Sequence, residues 1–162
     1  MDVRKVIMSE PERCVACRNC MMACSLAHNG TLSPAQSRIA ILNLHAMCLK
    51  IPIMCAHCTE PLCVDVCPVE AISRDEATGT VTADSRSCIG CRMCTVVCPL
   101  GAISIDYEIG KSIKCDLCGG DPACVKACGY GTLSFVPLDE DSAKRRRKAV
   151  EHISKAFEKL AE

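Results

Sequence analysis

The chain has 162 residues, enough for one compact domain or for two small modules that share a core. Its 19 basic residues balance 19 acidic ones and aromatics make up only 2%, which argues against nucleic-acid binding through basic patches and stacking rings. The excess is in cysteine: 17 residues, a level that means either a disulfide scaffold or a metal protein.

Residues 1–10 carry no apolar run of signal-peptide length and no twin-arginine pair, and no stretch approaches the ~18 apolar residues of a membrane span. The expectation is a cytoplasmic protein without a direct membrane span, in a compartment where disulfides rarely persist. The odd cysteine count also argues against a fully paired disulfide framework.

Sixteen of the cysteines then fall into four runs of four along the chain. The first is Cys14, Cys17, Cys20 and Cys24, followed by Ser25. An insert from Ser25 to Met54 carries the seventeenth, Cys48, inside an apolar segment, where a buried free thiol is expected. The second run is Cys55, Cys58, Cys63 and Cys67, with Pro68 after it; its His57 is either a hydrogen-bond donor to bound sulfur or a loop residue facing solvent, and the second is the expectation. Val69–Ser73 and Thr80–Ala83 flank a turn-rich stretch and predict a hairpin, with Asp65, Glu70, Asp75 and Glu76 as a solvated edge. The third run, Cys88, Cys91, Cys94 and Cys98 with Pro99, has the bacterial ferredoxin spacing without alteration. Gly101–Asp106 repeats the strand pattern, and the fourth run is Cys115, Cys118, Cys124 and Cys128, followed by Gly129. From Asp139 the chain turns highly charged. Val150, Ile153, Phe157 and Leu160 recur at helical spacing, with Asp141 or Ser142 as candidate caps.

Zinc sites use two C-x2-C pairs, usually a dozen or more residues apart. Here three thiols gather within one short loop and a fourth follows at x3, four times over, which suits the four irons of a cubane. A loop of this kind turns its N–H groups towards sulfur, and the fourth cysteine, on the short helix that follows, reaches a different cube. The second and third runs form a complete two-cluster unit over residues 53–106. The first and fourth, neither followed by proline, flank it over 1–52 plus 107–138, and 139–162 is a C-terminal amphipathic helix. The expected fold is α+β: two bacterial ferredoxin-like modules, one inserted in the other. Four [4Fe–4S] clusters would add about −8 to the neutral chain. No phosphate loop, dinucleotide fingerprint or nucleophile triad is visible, so no catalytic residue is assigned.

The segments CVACRNCMMAC, CAHCTEPLCVDVCP, CIGCRMCTVVCPLGAI and KCDLCGGDPACVKAC resemble the four-cluster electron-transfer subunits that accompany dimethyl sulfoxide reductase, formate dehydrogenase, hydrogenase, carbon monoxide dehydrogenase and tungsten aldehyde oxidoreductases. The resemblance covers about residues 12–133. It implies one cube on Cys14, Cys17, Cys20 and Cys128, and another on Cys115, Cys118, Cys124 and Cys24. A third would sit on Cys55, Cys58, Cys63 and Cys98, and the last on Cys88, Cys91, Cys94 and Cys67. It also implies a large catalytic oxidoreductase partner and a second electron donor or acceptor. A free polyferredoxin, and self-association into a conducting stack, are the alternatives.

Overall fold

The computed structural model describes residues 4–158. Among them, short strands pair two by two into four antiparallel ladders, joined by helices and single 3-10 turns, so the class is mixed α+β. Strand β1 (Lys5–Ser9) is partnered by the last strand of the chain, with Ile7 opposite Phe135. Strands β2 (Ala40–Leu44) and β3 (Leu49–Ile53) form one hairpin, and β4 (Ile72–Arg74) and β5 (Val81–Ala83) the next. Then come β6 (Ile103–Asp106) with β7 (Lys111–Lys114), and finally β8 (Leu133–Pro137), the partner of β1. Each hairpin leaves one cysteine run and enters the next, and the β1–β8 ladder joins the fourth run back to the first. β3 crosses the expected 52/53 boundary, and the β6–β7 turn crosses the 106/107 one.

The second hairpin forms later than the pattern predicts. Val69 and Glu70 belong to a turn, Glu70 at φ +51°, and the strand starts at Ile72. The β4–β5 turn is closed by Asp75, whose carboxylate accepts from the N–H groups of Ala77 and Thr78. Asp65, Glu70, Asp75 and Glu76 are exposed, as expected of a solvated edge.

The helices explain how the runs interlock. They are α1 (Asn19–Asn29), α2 (Leu62–Asp65), α3 (Met93–Val97), α4 (Ala123–Lys126) and α5 (Glu140–Glu158). The third cysteine of each run, Cys20, Cys63, Cys94 or Cys124, lies on its helix. The fourth was expected on the helix as well. Instead Cys67, Cys98 and Cys128 stand just past the helix ends, because Pro68 and Pro99 cannot extend a helix and Gly129 starts a turn. Cys24 alone is inside its helix: Ser25 leaves the N–H ladder intact, and α1 runs on to Gly30, which ends it at φ +68°. Helix α1 packs on α4, and α2 on α3.

The core contains few rings. One cluster joins Ile7, Ile39, Leu117 and Leu133 with Cys20, Cys24, Cys115 and Cys124; a second joins Ile72, Val81 and Ile103 with Cys94. Cys48 is exposed rather than buried: its apolar segment is the β2–β3 turn, where Cys48 takes φ +50° at the tip while Leu44 and Leu49 pair in the ladder. The cap of α5 is Asp139, two positions before the nearer of those expected. Its carboxylate accepts from Ser142 N–H at 2.8 Å, and Ser142 Oγ accepts from Asp139 N–H at 3.0 Å. The stripe expected at Val150, Ile153, Phe157 and Leu160 rests on side chains outside the described residues.

Candidate metal centres

The sixteen cysteines gather into four groups, each with three from one run and one from another. Cys14, Cys17, Cys20 and Cys128 line one cavity, closed by Val15, Ile41 and Leu133. Cys55, Cys58, Cys63 and Cys98 line a second among Leu62, Val97 and Ile103. Cys88, Cys91, Cys94 and Cys67 line a third, under Ile89 and Ile72. Cys115, Cys118, Cys124 and Cys24 lie close enough to act on one another's charge and form a fourth group. We number these sites one to four by the run that supplies three thiols. Cys17, Cys58 and Cys91, the second cysteines of their runs, are exposed; Cys118, in the same place, is partly covered.

One backbone device recurs in every run. The second residue after the first cysteine is left-handed: Ala16 (φ +56°), His57 (φ +48°), Gly90 (φ +72°) and Leu117 (φ +60°). In the last three runs this turns the residue's N–H back onto that cysteine's sulfur, at 3.4 Å for His57 to Cys55, 3.4 Å for Gly90 to Cys88 and 3.5 Å for Leu117 to Cys115. Only Gly90 needs to be glycine, since a Cβ there would stand 2.4 Å from the Gly110 carbonyl oxygen in the β6–β7 turn. A second device follows the helices. Glu70, Gly101 and Gly131, three residues after Cys67, Cys98 and Cys128, are also left-handed. The next N–H then reaches sulfur, at 3.2 Å for Ala71 to Cys67 and 3.4 Å for Ala102 to Cys98. Cys24, inside its helix, has no such turn, and Arg38 N–H, fourteen residues on, donates to its sulfur at 3.3 Å.

Burial raises the thiols at the centre, Cys20 to about 11 and Cys115 and Cys124 to about 12; neighbouring thiols add to the rise. Burial also acts on Cys128, but N–H groups from Leu133, Thr132 and Tyr130 outweigh it and hold that thiol below its ordinary value. At Cys88 the Ser112 hydroxyl and N–H do the same against burial. N–H groups that favour thiolate over thiol suit a metal ligand, which must lose its proton.

Site four carries a polar cover that the spacing did not reveal. Because α1 continues past Cys24, His28 lies one turn beyond it, with Nε2 3.0 Å from Asp116 Oδ1 and Nδ1 2.8 Å from the Cys24 carbonyl oxygen. Asp116 also accepts from Cys118 N–H at 2.9 Å and from the Arg38 guanidinium at 2.5 Å. Its carboxyl lies below the ordinary carboxylate range: burial opposes this, and the Cys118 N–H, Arg38 and His28 together overcome it. The group braces a left-handed stretch through Leu117 and Cys118, a conformation costing about 1–2 kcal/mol per non-glycine residue. The sequence places His28 one helical turn after Cys24, with Ser25 in place of proline between them, but does not mark Asp116 as its partner.

His57 corrects the expectation of a solvent-facing loop. It is 1% exposed, its Nδ1 accepts from Val81 N–H at 3.0 Å, and Arg4 caps its carbonyl oxygen. Burial first, then Lys114 and Arg4, hold its pKa down to about 3, so it is neutral. Val81 lines site two, and so His57 supports that cavity from behind.

Four thiols in each of three cavities, sulfur-directed N–H groups and a largely apolar lining make a donor set that fits an iron–sulfur cube. A family model for the 4Fe-4S dicluster domain matches residues 46–138, and one for a 4Fe-4S binding domain matches residues 11–27. The chain belongs to the 4Fe-4S dicluster family. Among its relatives is the polyferredoxin-like subunit of an aliphatic sulfonate oxidoreductase from Pyrococcus furiosus, 38% identical over 80% of this chain and 76% of that protein. Another is the thiosulfate reductase electron transfer subunit PhsB of Salmonella typhi, 31% identical over 86% of this chain and 79% of that one. The beta subunit of NADH-dependent phenylglyoxylate dehydrogenase from Aromatoleum evansii is 39% identical over 80% of this chain, which spans only 30% of that longer protein. Among solved structures, the active site complex BamBC of benzoyl coenzyme A reductase contains a chain with the same fold. Its TM-score is 0.51 at 24% identity, over 94% of this chain and 90% of that one. The resemblance to ferredoxin-type electron-transfer subunits therefore stands. No helix among the described residues is long and apolar enough to cross a membrane.

Proposed function

We propose that this chain is the dedicated electron-transfer subunit of a larger oxidoreductase, holding four [4Fe–4S] clusters on the four cysteine groups described above. Bound there, the clusters would supply one-electron relays. The protein's part is to hold them in line. Cys20 and Cys24 share α1 but serve sites one and four; four residues apart on a helix, their Cβ atoms are about 6 Å from each other. Cys124 on α4 and Cys128 just past it tie the same two sites, while Cys63 with Cys67, and Cys94 with Cys98, tie sites two and three in the same way. Between the pairs, Cys55 packs on the cluster that holds Cys115. The order is therefore one, four, two, three, with sites one and three at the ends, and this continuity is the observation that carries the proposal.

The nested arrangement of two ferredoxin-like modules accounts for the packing of α1 on α4 and of α2 on α3. The partner is a large catalytic oxidoreductase subunit, with a second redox protein at the far end. Relatives named as subunits of sulfonate, thiosulfate and phenylglyoxylate enzymes support this, and a reducing cytoplasm suits the exposed Cys17, Cys58 and Cys91. The test is an anaerobic pull-down of the tagged protein from its native host, with mass spectrometry and metal analysis. A stoichiometric large subunit is expected. A monodisperse, iron-only chain without a partner would instead make it a diffusible carrier.

A further inference from the structure

Lys114 ends β7, directly before Cys115, and its side chain is 2% exposed. Its Nζ donates to the carbonyl oxygens of Val81 and of Cys115, the latter at 3.1 Å. Val81 lines site two, and Cys115 belongs to site four. The ammonium therefore stands at the junction between the two inner sites. Among the described residues no carboxylate forms an ion pair with it. A cation buried this deeply, with carbonyl oxygens as its acceptors, is unfavourable unless negative charge faces it. Its charge reaches the neutral His57 and the Cys63 thiol of site two, Cys115 of site four is the next residue, and Arg4 and Asp116 act on the same imidazole.

We propose that Lys114 is a positioning charge shared by sites two and four, which raises the reduction potentials of both inner relays relative to a chain lacking it. This rests on the four-cluster reading above. Each relay takes up one electron and releases it again, with no bond made or broken. A fixed cation in a poorly screened interior favours the more negative, reduced state. Because Lys114 lies between two sites, its effect falls on a pair, whereas Arg38 and Asp116 are bound to each other beside Cys118 of site four. The charge therefore moves the two middle relays together, in the same direction.

The experiment is a potentiometric titration, followed by electron paramagnetic resonance, of the anaerobically prepared full chain and its Lys114→Met and Lys114→Gln variants. The expected result is a fall in two of the four midpoint potentials by about tenfold in the oxidised-to-reduced ratio, ~59 mV for a one-electron couple, with the other two moving far less. Loss of packing alone would not single out a pair. Unmoved potentials, an equal shift of all four, or failure of both neutral variants to retain four clusters would overturn the proposal. The iron content of the unaltered chain separates the two readings: a shortfall from about sixteen irons sinks the four-cluster reading itself. A full complement with unmoved potentials sinks only the role of Lys114.

Discussion

Cys118 differs from Cys17, Cys58 and Cys91 in what covers it. His28, Arg38 and Asp116 close over site four, an imidazole and a guanidinium around one carboxylate, and the charges of Arg38 and Asp116 have opposite effects on an added electron. Asp116→Asn keeps the acceptor for Cys118 N–H but removes the negative charge, and should raise one midpoint potential. Arg38→Gln removes the cation and should lower the same one. Shifts in the same direction would mean that the group only braces the loop. At His57 the consequence is structural. His57→Leu leaves the buried Val81 N–H without its acceptor, at a cost on the order of 1–3 kcal/mol, and a lowered urea midpoint of the iron-loaded protein checks it. These side chains were not legible in the sequence. Nothing in the spacing marks His28 and Asp116 as partners 88 residues apart, or Lys114 as buried, because such contacts depend on how the loops fold onto one another.

At the scale of elements, the single departure of the first run from the ferredoxin pattern has the largest effect. Ser25 is fully buried; its hydroxyl donates to the Met22 carbonyl and accepts from Ser33 N–H, so it fastens the following loop to α1. Restoring the proline with Ser25→Pro would break α1 near Cys24, at about 3 kcal/mol or more, and would take His28 away from Asp116. Reduced helix content and loss of iron from one site, by circular dichroism and metal analysis, are expected. The cysteine runs and their turns were readable because ligand geometry and backbone sterics are local. Reading Cys48 as buried failed because an apolar stretch reads alike whether it packs inside or folds back as a hairpin tip.

Helix α5 is attached to the body by Arg145, 2.5 Å from Glu10, a pair about one-third exposed on each side. The Arg145 hydrogen bond is the main cause that holds the Glu10 carboxyl below its ordinary range. A carboxylate depressed in the folded state contributes above its unfolded pKa, and that contribution is lost as the pH falls through the lower folded one. Exposure limits the pair to about 1 kcal/mol or less. Glu10→Gln should therefore speed hydrogen exchange in residues 140–158 at neutral pH and matter little in acid. Equal protection in both proteins at pH 7 would show that α5 is held by other contacts.

Over the whole molecule, four cysteine groups replace the ring-rich core that a chain of this size would otherwise build. A helix shared by neighbouring groups, as α1 is by Cys20 and Cys24, and the packing of Cys55 on the cluster with Cys115 connect these groups. The number of runs was plain from the sequence, and the connection between them follows from the third and fourth cysteines of each run, on a helix or just past its end, and from the packing of Cys55 beside Cys115. The central claim is that all four sites hold [4Fe–4S] clusters. It is tested most directly by iron and acid-labile sulfide analysis, with Mössbauer spectroscopy, of the protein purified anaerobically from iron-replete cells. About sixteen irons and sixteen sulfides per chain, all in cubane environments, are predicted. A colourless zinc protein, or a chain saturating at about eight irons, would contradict the account.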